Sequence, residues 1–162
     1  MASRPDWDSY FLTIASVVAT RSTCLRRRVG AVIVRDRQIV STGYNGAPKG
    51  TPHCEEVGCL RARLSVPSGE RHEICRGSHA EINAIAQAAA VGSSTAGGTI
   101  YCTHEPCVFC TKAIINAAIE RIVFIHPYPD ELARRLREES GIAVAQLPES
   151  VLFKEDDCIA QP

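Results

Sequence analysis

The sequence predicts an α/β fold, a partly parallel sheet covered by helices, and three observations carry that prediction. Two β-rich runs, Val29 to Val34 and Gln38 to Tyr44, are separated only by Arg35, Asp36 and Arg37, which is the spacing of an antiparallel hairpin. In the second half of the chain short apolar strands alternate with helical segments, the pattern of crossover connections between parallel strands. The length, 162 residues, suffices for one buried core, and the whole chain reads as one domain, 1–162. Hydrophobic residues at 45% and charged residues at 22% are ordinary globular values, which excludes disorder over most of the length.

Taken in order, residues 6–21 place Trp7, Tyr10, Phe11, Ile14, Val17 and Val18 at three and four spacings behind Asp6 or Asp8 as cap, so a helix is expected there. The VGAVIV run is apolar almost throughout, as a strand buried on both faces requires. From 45 to 77 the chain turns to Gly, Pro, Cys, His and charge. Unsupported loops of that length are uncommon inside compact domains, so something must hold this insert. SHAEINAIAQAAAVG is a helix ending at a glycine, and 99–103 is a short strand. A helix starts just after Pro106 and runs over 107–118, proline being tolerated at a helix start. The segment 121–125 is a strand, 130–140 a charged helix stopped by Gly141, and 142–146 the last strand. Residues from about 154 read as a flexible tail.

Lys and Arg together number 18, as do Asp and Glu, so the net charge is zero. A protein holding a long polyanion usually carries a basic surplus, which disfavours extended nucleic acid as a partner and favours a small molecule. No stretch approaches the roughly 20 apolar residues of a membrane span, and the start MASRPDWDSYF lacks a signal-peptide pattern, so a cytoplasmic location is expected. In a reducing compartment eight cysteines point first to metal rather than to disulfides.

Three residues with metal-ligand chemistry stand at helix starts: His79 in SHAE, and Cys107 and Cys110 in EPCVFC. Cysteines three apart on a helix point the same way, and the positive end of a helix dipole favours the thiolate that binds zinc. One histidine and two thiolates leave a fourth tetrahedral position for water, as in catalytic rather than structural zinc sites. Glu81 follows His79 by two, so both serve one site only if the helix end itself points at it. There Glu81 stays off the metal and carries protons. This histidine, glutamate and Pro-Cys-x-x-Cys order is the signature of zinc nucleobase deaminases. The bland alternative is a buried helix-start histidine with an unrelated redox or structural Cys-x-x-Cys.

The segments RSTCLRRRVGAVIV (21–34), STGYNGAPKG (41–50), HCEEVGC (53–59), HAE (79–81), YCTHEPCVFC (101–110) and YPDE at Tyr128 resemble the deoxycytidylate (dCMP) deaminase family, which includes the related protein of bacterial competence operons. The resemblance runs from about Trp7 to Val144. It implies a cytidine deaminase-like three-layer α/β/α sandwich with a five-stranded mixed sheet, and hydrolysis of dCMP to dUMP and ammonia. It also implies that Asn45 contacts the sugar, that the backbone near Ala80 and Glu105 reads the pyrimidine, and that Tyr128 lines the pocket. Many members are hexamers activated by dCTP with Mg2+ and inhibited by dTTP, with an effector site near the segment that holds Asn45 and Gly46. For the 5′-phosphate, Arg26, Arg28, Lys49 and His104 are candidates among which the sequence does not choose.

Some relatives carry a second, structural zinc. Here its ligands would be Cys24, Cys54, Cys59 and Cys75, with His72 or His53 as a replacement for one, stapling the insert to the first strand. Buried thiols packing as small hydrophobes are the alternative for these four and the expectation for Cys102 and Cys158. Rival activities within the same motif are tRNA adenosine, cytidine and guanine deamination. The rival from another class is a noncatalytic zinc module for DNA uptake or assembly, which would have no need of Glu81.

Overall fold

The computed structural model describes residues 4–153; the tail expected from about 154, with Cys158, lies outside the described residues. Helix α1 (Trp7–Ala19) begins at Asp6, whose carboxylate accepts from the Ser9 amide at 2.9 Å, the capping interaction its position predicts. Strands β1 (Gly30–Arg35) and β2 (Gln38–Tyr44) form the expected hairpin. Arg35 belongs to the strand, and the turn is the pair Asp36 and Arg37, both at positive φ. That geometry matches the twist of the two strands.

The insert folds into two single-turn helices, α2 (Cys54–Val57) and α3 (Leu60–Arg63), and a 3₁₀ turn at His72–Ile74. The sequence predicts none of these, because four-residue helices have no periodicity to read. Then follow α4 (Ala80–Ala90), β3 (Thr99–His104), α5 (Val108–Asn116), β4 (Arg121–His126), α6 (Glu131–Ser140) and β5 (Ala143–Gln146), the predicted order with ends moved by a residue or two.

The five strands lie in the order β2-β1-β3-β4-β5. The β1 pairings with β2 and β3 are antiparallel, and the β3-β4 and β4-β5 pairings are parallel, so the sheet is mixed. Its two faces sort by alternation along the strands. Ala31, Ile33, Ile100, Cys102, Ile122 and Phe124 point to the face covered by α4 and α5, where Ala84 and Ile114 are buried. Val32, Val34, Tyr101, Val123 and Ile125 point the other way, to Phe11, Leu12 and Ala15 of α1. The Asp8 carboxylate ties α1 to the sheet, accepting two bonds of 2.7 Å from Arg121 and one of 2.8 Å from Tyr101.

Two glycines let helices approach the sheet. A Cβ on Gly30 would sit 2.1 Å from the Ala15 carbonyl, and one on Gly43 would sit 2.1 Å from the Ala80 carbonyl. The second contact sets the height of the start of α4, where His79 and Glu81 stand. Among the described residues no helix is long and apolar enough to cross a membrane.

Candidate metal centre and cleft

The starts of α4 and α5 meet at one end of the sheet. His79 is the residue capping α4 and Cys107 the one capping α5, both in extended backbone, while Cys110 lies in the first turn of α5. Their side chains therefore leave the helix tips rather than the helix sides. The His79 Nδ1 lies 3.4 Å from the Cys107 sulfur and 3.3 Å from the Cys110 sulfur. Zinc bonds of about 2.3 Å to sulfur and 2.0–2.1 Å to nitrogen at tetrahedral angles put such donors about 3.6 Å apart. The three residues fit that ion in identity and in spacing. They are also the one set of three or more metal-binding donors found within 4.8 Å of one another among the described residues.

Electrostatics agree with that donor set. The Cys107 thiol is drawn down to about 4, first by the hydrogen bond from Cys110 and, against the cost of burial, by His79. The same contact holds Cys110 protonated, and burial adds to it. His79 is raised by its bond to Cys107. The pocket thus stabilises a single thiolate, on Cys107, and holds Cys110 as the thiol that bonds to it. Glu81 is 4% exposed, with its carboxylate 3.4 Å from the Cys110 sulfur. Burial pushes its pKa up, which suits a carboxyl that must alternately hold and release a proton.

A solvent-open cleft leads to these groups, bordered by Asn45, Gly46, Ala80, Glu105 and Tyr128. Several bonds fix its walls. The Asn45 side chain accepts from Ser22 at 2.6 Å and from the Val29 amide at 2.8 Å, and donates to the Arg27 carbonyl at 2.8 Å. It thereby locks the 22–29 segment to the end of β2. Of the three glycines in GYNGAPKG only Gly50 has a positive φ. Gly43 serves close approach, and Gly46 pairs with Ser78 in an isolated bridge beside the start of α4.

Some positioning contacts carry no readable signal in the sequence. Glu105 forms a buried ion pair with Arg137 of α6, and its other oxygen accepts from the Tyr128 amide at 2.8 Å. This pair fixes the loop from which Cys107 starts. Asp130 caps α6 through the Ala133 amide at 3.0 Å and also accepts from Val108, the first residue of α5, at 2.8 Å. An aspartate before a helical pattern predicts the first cap; the second joins residues 22 apart and is invisible in sequence.

The four remaining cysteines named as second-metal candidates, Cys24, Cys54, Cys59 and Cys75, all line the cleft wall. Cys54 is raised first by burial and then by the charges of Cys59, Cys24 and Cys75. His53 bonds Thr23 through Nδ1 at 3.0 Å. His72 sits against the His79 ring, centroids 5.0 Å apart, with its Nδ1 buried and unbonded. Among the phosphate candidates Arg26 and His104 border the cleft, whereas Arg28 and Lys49 are not among its lining residues. His104 is pushed down to about 4 by burial, with His126 beside it, so it is neutral at physiological pH.

Comparison with known proteins matches residues 5–126 to the cytidine and deoxycytidylate deaminase zinc-binding region. A deoxycytidylate deaminase of Schizosaccharomyces pombe is 37% identical over 155 residues, covering 93% of this chain but only 47% of that protein. One of Mycobacterium phage D29 is 45% identical over 128 residues, covering 75% of this chain and 96% of that protein. The crystal structure of the dCMP deaminase of cyanophage S-TIM5 in complex with dCMP and dUMP superposes with a TM-score of 0.72 at 25% identity, covering 90% of this chain and 99% of the other. With two helix starts delivering one histidine and two cysteines beside a buried glutamate, and with that match across most of its length, the chain belongs to the cytidine and deoxycytidylate deaminase family.

Proposed function

We propose that this protein hydrolyses dCMP to dUMP and ammonia, with His79, Cys107 and Cys110 as the ligands of a catalytic zinc and Glu81 as the proton carrier. The observation that carries the reading is the convergence of those three donors beside a buried carboxyl. The dCMP deaminases named above supply the substrate. Zinc bound there supplies the Lewis acidity that makes water nucleophilic near neutral pH. Glu81 takes the proton that water gives up as it adds to C4 and delivers it to the adjacent ring nitrogen. It then takes the proton of the new C4 hydroxyl and gives it to the amine as the carbon–nitrogen bond breaks, so water's oxygen ends on C4, one of its protons on the ring nitrogen and the other on ammonia. Burial keeps that carboxyl from sharing its proton with solvent.

In this reading Ala80 and Glu105 present backbone groups to the base, and Tyr128 closes the nucleotide side of the cleft. Asn45 faces the sugar and also holds the loop that shapes the wall. Cys24, Cys54, Cys59 and Cys75 take a second, structural zinc that staples the 45–77 insert. Their place on one wall of the cleft and their mutual effect on Cys54 support this, and the four sulfurs would close on the ion as it binds, since among the described residues no three of them lie within 4.8 Å of one another. The same reading extends to a homo-oligomer, a hexamer by resemblance, in which dCTP with Mg2+ activates and dTTP inhibits near Asn45 and Gly46.

The test is ammonia release from dCMP, cytidine, guanine and tRNA side by side, with and without dCTP and dTTP. Preference for dCMP sustains the reading, and preference for another substrate replaces it. Zinc near two per chain supports the second site, and zinc near one removes it.

A further inference from the structure

Arg61 is out of place unless something anionic meets it. It is the second residue of α3, within the insert, and only 9% of it is exposed. It has no ion-pair partner among the described residues. Its guanidinium makes one bond there, to the Pro67 carbonyl at 3.3 Å, and its Nε is buried with none. A buried cation without a counter-charge is costly, and such groups are normally paired. Arg61 borders the same cleft as the metal-binding triad, together with Arg26 and Arg27. Arg26 is bound to the Val66 carbonyl at 2.9 Å, holding the loop that leads to Ser68 and Gly69 on the cleft wall. The charges of Arg27 and Arg61 both reach the Tyr128 hydroxyl, and that of Arg61 also reaches His72 and His79, so Arg61 faces the interior of the cleft. The planar guanidinium fork suits a phosphate's oxygens better than an ammonium does.

We propose that Arg61 is the residue that receives the phosphomonoester of the substrate, with Arg27 beside it, and that it makes the enzyme select nucleotides over nucleosides. The inference rests on the reading of the cleft as a nucleotide site. It adds a receptor beyond the phosphate candidates evident from sequence: Arg26 borders the cleft but is exposed and already bonded to the Val66 carbonyl, Arg28 and Lys49 are not among the lining residues, and His104 is held neutral by burial.

The experiment compares Arg61→Gln and Arg61→Lys with the unaltered, zinc-loaded protein. It reads kcat/KM for dCMP and deoxycytidine, competition by inorganic phosphate, zinc per chain and the thermal midpoint. The dCMP-to-deoxycytidine preference is expected to fall about 100-fold in Arg61→Gln, the size of a lost charge-assisted contact, and about tenfold in Arg61→Lys. Phosphate competition should weaken in the same order. An unchanged preference and unchanged phosphate competition overturn the proposal. So does loss of zinc from either variant, which would make Arg61 a partner of the neighbouring cysteines instead. If the unaltered protein shows no activity on dCMP, the functional reading fails separately. Phosphate protection against thermal unfolding, lost in Arg61→Gln, still decides the anion site.

Discussion

Substituting Gly43 by alanine tests whether the packing of α4 on β2 positions the chemistry. A Cβ at this position would lie 2.1 Å from the Ala80 carbonyl oxygen and 2.4 Å from the Ala84 nitrogen, both backbone atoms of α4 that no rotamer change can move aside. Restoring an ordinary contact of 3.4 Å to the carbonyl requires the start of α4 to retreat by about 1.3 Å. Ala80 lies between His79 and Glu81, so both would move with it. Misplacement of about 1 Å in an active site costs about 100-fold in rate, and overpacking costs about 1–3 kcal/mol of stability. Gly43→Ala is therefore expected to lose about 100-fold in kcat/KM on dCMP and about 1–3 kcal/mol in denaturant unfolding. Gly92→Ala is the control. Gly92 has a φ of +72° and open space around it, so that change costs about 1–2 kcal/mol of backbone strain while leaving the site untouched. A Gly43→Ala enzyme with undiminished kcat/KM would refute the claim that this contact sets the site.

Two further outcomes concern the scaffold. Removing Arg137 leaves the Glu105 carboxylate without its buried partner, so Arg137→Ala should destabilise by about 3–5 kcal/mol; a loss under about 1 kcal/mol would show the pair to be dispensable. Arg121 holds the Asp8 carboxyl below its usual 3.8, against burial and with help from Tyr101. Because the folded value is depressed, the contribution is present above pH 3.8 and fades as pH falls toward the folded value. The gap in thermal midpoint between the unaltered protein and Asp8→Asn should thus stay constant near neutrality and close below about pH 4; a gap that widens on acidification would contradict the assignment.

The order of strands and long helices is legible in the sequence because each rests on local periodicity, as in VGAVIV, whose every residue from Gly30 to Val34 is buried. His79, Glu81, Cys107 and Cys110 are legible because their short spacings at helix starts carry the geometry with them. What is hidden depends on distant pairs. Asp130 caps a helix beginning 22 residues earlier, and Glu105 finds Arg137 across 32. Arg61 looks in sequence like any solvated arginine of LRAR, since only the folded insert reveals its burial. Gly43 serves helix packing, a demand set by the opposing backbone of Ala80 and Ala84 rather than by its neighbours in the chain, so nothing local in GYNG announces it.

That one carboxyl moves every proton while three other side chains hold the ion is tested by ammonia release from dCMP by Glu81→Gln protein, measured together with bound zinc on the same sample. Zinc equal to that of the unaltered protein with turnover reduced by a factor of 100 or more is the predicted result. Turnover that survives at full metal content, or metal that leaves with the carboxyl, would contradict it.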